Sequence, residues 1–260
     1  KPPCRKGLRT HFRELPIKPN VKVAMTTLRY PQRIAGLRRS LKPAGIDALL
    51  VLIEANRRYL SGYTAEDGQF DETAGALVVS ASHLLLATDS RYELQARQEA
   101  PGFDIVCYRT GLLAELPDLL AARGIQRLGF ESVRMSVKQH LEFQEKLAQA
   151  QIDIALVPQE AMIEKLRAGK DQAEIAATRR AIECAETGFR KLRSVIEPGM
   201  TESEIARMLE DFMRNAGAEG PSFPIIVAAG ANSARPHAVP GQRRLQTGEP
   251  LLLDWGARVD

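Results

Sequence analysis

Aromatic residues are scarce in this chain, 5% of the total with a single tryptophan, and only three cysteines occur among 260 residues. Cys4, Cys107 and Cys184 lie far apart, with no ligand or disulfide spacing. A disulfide scaffold is not implied, and reduced thiols in a cytoplasmic protein are the expectation. No apolar run is long enough for a membrane-spanning helix, and no internal repeat or low-complexity tract marks a solenoid. Charge of one sign is also missing from the body of the chain. The formal net charge is +4, but residues 1–24 alone carry Lys1, Arg5, Lys6, Arg9, Arg13, Lys18 and Lys22 against Glu14. The remainder is slightly acidic, so the basic isoelectric point gives no reason to invoke nucleic acid.

That basic head lacks the apolar centre of a secretory signal. It is Arg-rich and acid-poor, as transit peptides are, but it carries no serine and four prolines. Residues 1–25 read as a basic extension, disordered or not native, ahead of a natural start at Met25.

What is present is a 44% apolar content, ample for the core of one large or two ordinary domains. From residue 28 to about 160 the pattern alternates. Ile34, Leu37 and Leu41 mark a helix face that ends near Pro43-Ala44-Gly45. A short apolar strand follows at 46–53, then strands at 76–79 and 84–87 joined by a turn. Asp89-Ser90 reads as the cap of a helix running to Arg97, with a strand at 103–108 after it. Helix, strand, helix and strand at 112–123, 127–130, 137–149 and 152–157 complete the segment. Strands alternating with helices of about a dozen residues predict an α/β domain with a largely parallel sheet.

After Pro158 the texture changes. A long helix over 171–196 carries Ile175, Ile182, Ala185, Phe189, Leu192 and Ile196 on one stripe and stops at Pro198-Gly199. A second helix starts at Thr201, where Glu204 completes a capping box; its stripe is Ile205, Met208, Leu209, Phe212 and Met213, and Gly217 ends it. Strands at 223–229 and 250–259 would cover both faces. Two helices followed by two strands begin an α+β domain, taken as residues 161–260.

Two residues in this last segment invite chemistry. Pro236-His237 sits in a Gly/Asn/Ser loop, and the strand Leu251-Leu252-Leu253 delivers Asp254 at its end. A carboxylate carried into the interior needs a cation or donors to keep its charge, which is how a hard or borderline metal site begins. Taken alone, Asp254 could equally be a turn acceptor and His237 a surface-loop histidine. Gly230-Ala231-Asn232-Ser233 reads as a shaping turn, since no helix N-terminus follows it to cradle a phosphate. His11, His83 and His140 have no partners at ligand spacing and read as surface residues.

The ordered series of segments resembles the metallopeptidase family of Xaa-Pro aminopeptidases, prolidases and creatinases, with its pita-bread fold. Residues 56–63 (NRRYLSGY) and 89–96 (DSRYELQA) are similar to pieces of the creatinase-type N-terminal domain. Lys165, Arg167, Lys170 and Glu174 resemble the start of the peptidase domain. Pro198-Gly199-Met200-Thr201-Glu202, residues 223–233, Pro236-His237 and Leu252, Asp254 and Gly256 then follow in the family's order. The resemblance implies a creatinase-like N-terminal α/β domain (26–160) followed by the first part of an α+β pita-bread peptidase domain (161–260).

It further implies two divalent metal ions (Mn, Co, Fe or Zn) held by two Asp, one His and two Glu. Asp254 matches the first Asp, and the other ligands are expected beyond Asp260. His237 matches the family's substrate histidine, which donates to the peptide and the developing oxyanion. Phe223 is a candidate wall of the substrate pocket, although a core position is its plainer reading. Bound metal would lower the pKa of its water towards about 7 and polarise the carbonyl. Asp89, Arg91 and Tyr92 could reach a neighbouring subunit's site, but a local salt bridge is the plainer reading.

The expected function is hydrolysis of the Xaa-Pro bond of short proline-containing peptides, by a homodimeric cytoplasmic enzyme with no nucleic-acid or membrane partner. The chain as given is expected to be an inactive fragment, binding metal weakly and prone to associate through an uncovered face. Two alternatives remain: a metal-free, creatinase-like amidinohydrolase, and a non-catalytic pita-bread binding module such as a histone-chaperone subunit. Asp254 weighs against the first, since an acid there serves little purpose without a cation, and Asp254 together with His237 weighs against the second.

Overall fold

A computed structural model of the chain describes residues 21–69 and 72–259, and of Val21 to Leu28 the backbone alone. The head up to residue 20, with Cys4 and His11, lies outside the described residues. Two compact units emerge, one ending at Ala168 and the other beginning at Gly169.

The first unit opens with helix α1 (Val21–Leu41), which takes in the last residues assigned to the extension, Met25 among them. Its elements continue β1 (Ala48–Val51), α2 (Glu54–Ser61), β2 (Ala76–Ser80), β3 (Leu84–Thr88), α3 (Glu93–Glu99), β4 (Asp104–Cys107), α4 (Leu112–Ala121), β5 (Arg127–Glu131), α5 (Val137–Gln149), β6 (Ala155–Gln159) and α6 (Met162–Ala168). The strands form one sheet in the order β4-β3-β2-β1-β5-β6. It is mixed rather than largely parallel. β1 runs antiparallel to β2 and β2 antiparallel to β3, while the β3–β4, β1–β5 and β5–β6 pairs are parallel. The reason is local: the short turn between β2 and β3 makes a hairpin, and hairpin strands must be antiparallel.

Why β1 and β2 read as continuous apolar runs is clear from their burial at every position. Successive side chains point to opposite faces, and both faces are covered. Leu49, Val51, Leu77 and Val79 join Ile34, Leu37 and Leu41 of α1 on one side. Ala48, Leu50 and Val78 join Leu116, Leu120, Phe143 and Leu147 of α4 and α5 on the other. The buried face of α1 is the one its periodicity predicts. Ile163, Met162 and Leu166 of α6 pack into the first of these cores, which draws the boundary C-terminal to the expected 160. The predicted cap at Asp89-Ser90 is absent: α3 starts at Glu93 with no side-chain cap, and Asp89 instead holds Arg91.

The second unit contains α7 (Gln172–Arg193), α8 (Glu202–Asn215), β7 (Gly220–Pro221), β8 (Ile226–Ala229), a 3-10 turn (Gly230–Ala234), β9 (Leu251–Asp254) and β10 (Ala257–Arg258). Both long helices begin with reciprocal capping boxes, Asp171 with Glu174 and Thr201 with Glu204. On α8 the predicted stripe holds, with Ile205, Leu209 and Met213 fully buried. The stripe predicted for α7 holds at Leu192 and, half-buried, at Ala185, Phe189 and Ile196, but it is shifted towards the buried Cys184 and Gly188, and Ile182 is 51% exposed. Gly188 explains the shift, because a Cβ there would lie 2.6 Å from Cγ of Met213. Its lack of a side chain lets the two helices approach closely, as hydrophobicity alone would not reveal. The helices pack on β8 and β10, and Trp255 seals the join by stacking on Phe189 at 4.6 Å and donating to the carbonyl of Ala185.

Candidate functional site

The candidate residues all sit on the β8–β9 ribbon of the second unit or on the loops that leave it. β8 and β9 pair antiparallel, with Ile226 opposite Asp254 and Ala229 opposite Leu251. Phe223, just before β8, therefore belongs to the Asp254 end. Its ring lies over Gly256, where a Cβ would come within 3.2 Å of Phe223 Cε1 and 2.3 Å of Ser222 Oγ. The Ser222 N–H donates to the Gly256 carbonyl, and a side chain at 256 would have to displace the Ser222 hydroxyl and crowd the Phe223 ring. His237 follows the turn that leaves β8 at Ala229, three residues along the strand, or about 10 Å away. The ribbon thus brings Phe223 and Asp254 together and roots the His237 loop at its other end.

Exposure overturns one expectation. Asp254 is exposed, not carried into an apolar interior, and Leu251 to Leu253 are only half-buried. Among the described residues β9 pairs with β8 alone, so the leucine triplet does not shut the carboxylate away from water. Phe223 is 40% exposed, so it is no core residue. His237 is exposed too, on a turn closed by the Ala238 N–H donating to the Arg235 carbonyl.

Beneath that turn lies a residue that the sequence did not single out. Glu202, the first residue of α8, is 1% exposed. It accepts from the N–H of Ala229 (2.8 Å), the side-chain amide of Asn232 (2.9 Å) and the N–H of Gly241 (3.0 Å). Burial works to raise its pKa, but these donors and the nearby Arg243 outweigh it and hold the carboxyl below the usual value. Arg243 in turn donates to the Ala229 carbonyl and pairs with Glu249. In sequence Glu202 looks like any acid in a first helical turn, stabilised by the helix dipole. Its burial comes from a loop that returns to it 39 residues later.

The described residues do not make up a metal centre. No group of three His, Cys, Asp or Glu among them could hold an ion. Asp254 is a single carboxylate on a strand end, and Glu202 is already engaged by three donors.

In the first unit, Asp89 and Arg91 form the local pair anticipated, at 2.8 Å with Arg91 beside the Tyr92 ring. Asp89 is held below the usual carboxylate range chiefly by the Arg91 hydrogen bond. Two histidines are less superficial than expected. His83 is half-buried and bonds Ser82, and His140 packs on the Phe130 ring at 5.3 Å between centroids.

Comparison with known proteins places these features. Residues 33–168 match the family described as Creatinase/Prolidase N-terminal domain. The chain belongs to the creatinase/prolidase family. Residues 176–260 match Metallopeptidase family M24, whose peptidases depend on divalent metal. The fold is accordingly the creatinase-type α/β domain followed by part of a pita-bread domain.

Among sequences, this family member is 33% identical to the uncharacterized peptidase YqhT of Bacillus subtilis, over 86% of this chain and 61% of that protein. Among solved structures it superposes on an Xaa-Pro dipeptidase from Bacillus anthracis with TM-score 0.78 and 35% identity, covering 88% of this chain and 61% of that one. An X-Pro aminopeptidase from Thermotoga maritima gives TM-score 0.75 and 30% identity, with 86% and 61% covered. The chain spans about three fifths of the length of these relatives.

Proposed function

We propose that the protein is a metal-dependent exopeptidase that cleaves the Xaa-Pro bond at peptide N-termini, as an aminopeptidase or a dipeptidase. The observation that carries this reading is one chain in which a creatinase/prolidase N-terminal domain precedes a metallopeptidase match. The names of the similar proteins, Xaa-Pro dipeptidase and X-Pro aminopeptidase, supply the substrate class.

In this reading His237 donates a hydrogen bond to the scissile carbonyl and to the oxyanion it becomes, and Phe223 forms a wall of the substrate pocket. Their exposure leaves both free to meet a peptide. Asp254 is one ligand of a pair of divalent ions drawn from Mn, Co, Fe or Zn, with the remaining ligands supplied outside the described residues. The enzyme works as a homodimer in the cytoplasm, which suits the unpaired thiols of Cys107 and Cys184. Sedimentation of the native protein as a monomer at micromolar concentration would remove the dimer from the proposal.

The decisive assay uses the native protein at its natural length, an Xaa-Pro peptide and a matched peptide lacking proline. Release of the N-terminal residue from the first alone, lost on chelation and restored by one of the four metals, is expected. Absence of release with all four sinks the reading. His237→Ala should lower kcat about a hundredfold, the effect of removing one oxyanion donor.

A further inference from the structure

We infer that Glu202 is a positioning residue for His237, holding both ends of the loop that presents it. This rests on the reading of His237 as the substrate histidine. The loop leaves β8 at Ala229 and returns to α8 at Gly241, and Glu202 bonds at each end. Oε1 accepts from the Ala229 N–H and the Asn232 amide where the loop departs. Oε2 accepts from the Gly241 N–H where it returns.

Neighbouring residues make the same junction. The Ser203 N–H and hydroxyl both donate to the Gly241 carbonyl, the hydroxyl also reaches the Pro240 carbonyl, and the Glu202 N–H donates to the Arg243 carbonyl. Between the two anchored ends, Pro236 and His237 are exposed and the Ala238 methyl is buried. The imidazole therefore projects from a short span whose two feet stand on one carboxylate.

The chemistry requires that carboxylate. Three donors converge on two oxygens, and only an ionised acid accepts from all of them without presenting a donor of its own. Glutamine at 202 would turn an NH2 towards Gly241 or towards Ala229 and Asn232, and release one foot. Hydrogen bonds to a charged group inside a protein are stronger than neutral ones, so losing a foot should be felt in the loop before it is felt in the helix.

Hydrogen exchange and NMR on the chain itself test the clamp. In Glu202→Gln, amide exchange at Ala229 or Gly241 should quicken by about ten- to a hundredfold. The His237 ring resonances should move towards those of a free histidine, while Leu209 and Met213 in α8 keep their protection. Glu202→Asp, with its shorter reach, should behave like the glutamine variant. Unchanged exchange at both anchors and an unmoved His237 ring in Glu202→Gln overturn the inference, and so does a loss of protection in α8 as large as that in the loop. Should Glu202→Gln fail to fold, Ser203→Ala replaces it, with the same readouts at Gly241 and His237.

A kinetic arm on the native protein separates this inference from the function beneath it. Glu202→Gln should lower kcat with KM little changed, and combining it with His237→Ala should add almost nothing to the loss from His237→Ala alone. Full additivity counts against positioning. A wild-type protein without peptidase activity removes the functional reading, and the exchange data still decide whether the clamp exists.

Discussion

Two buried glutamates, one in each unit, receive almost the same donor set, yet their pKa values move in opposite directions. Glu131, at the end of an inner strand of the six-stranded sheet, accepts from the N–H groups of Leu52 and Ile53 and the amide of Asn56 at 2.6–2.7 Å. Glu202 likewise accepts from two backbone N–H groups and one asparagine amide. Burial dominates at Glu131 and, with Glu164 close by, pushes its pKa up despite the donors. At Glu202 the same donors prevail, helped by Arg243, and the pKa is lowered. Donor count therefore does not set the direction in which a buried acid's pKa moves; depth of packing and the sign of the nearest charge do.

The wider contrast follows the same line. In the first unit polar groups are locked inside: Arg57 is fully buried and bonds Asp67, Thr73 and the carbonyls of Leu52 and Ala65. Asn56 joins Glu131, Glu164 and Arg167. In the second unit the candidate chemistry faces outward at Phe223, His237 and Asp254, and the buried acid is spent on holding a loop.

The contrast can be broken most sharply at Arg57. Arg57→Ala leaves Asp67 without its buried partner and should destabilise the first unit by about 3–5 kcal/mol. Urea unfolding should show an early loss of secondary structure, while fluorescence of the lone Trp255 in the second unit holds its midpoint. A joint shift would mean that the units unfold together.

Acidity should separate the two glutamates next. A folded pKa above the unfolded value of about 4.3 makes Glu131 unfavourable when charged, so the first unit should gain stability as pH falls through that raised value. Glu202 has the opposite sign. Its contribution is complete above about pH 4.3 and is lost as pH falls through its depressed folded value. Each unit of separation is worth about 1.4 kcal/mol. Glu131→Gln and Glu202→Gln should each flatten the pH slope of its own unit and leave the other untouched. Smaller again, Thr201→Ala removes the cap of α8 and should cost about 1 kcal/mol, read from the Trp255 transition. Arg190→Ala breaks an exposed pair with Glu186 and should leave that transition unmoved.

Much of this arrangement is legible along the chain. The faces of α1 and α8, the capping box at Thr201 and the α5 boundaries all follow from periodicity and caps, which are local. The order of segments also suffices to reach the family. Most of what escapes is set by partners distant in sequence, and the rest by local competition between side chains. Ile182 lies on a plausible stripe, yet Gly188 rotates α7 so that Met213 meets the helix elsewhere. Asp254 ends an apolar strand, yet its surroundings depend on how β9 is flanked, and a leucine triplet carries no information about that. Asp89 looks like a cap and is instead claimed by Arg91, two residues on.

By itself the amino-acid order determined most of the elements, the two-part organisation and the family, because hydrophobic period, caps and turn residues act within a few positions of one another; it missed α2 and α6 and joined β9 and β10 into one strand. Only the tertiary structure decided in which direction each buried acid's pKa moves, which candidate side chains meet water, and that one buried carboxylate bonds both ends of the histidine loop. Those properties depend on desolvation and on donors brought from dozens of residues away, and both exist only once the chain has packed.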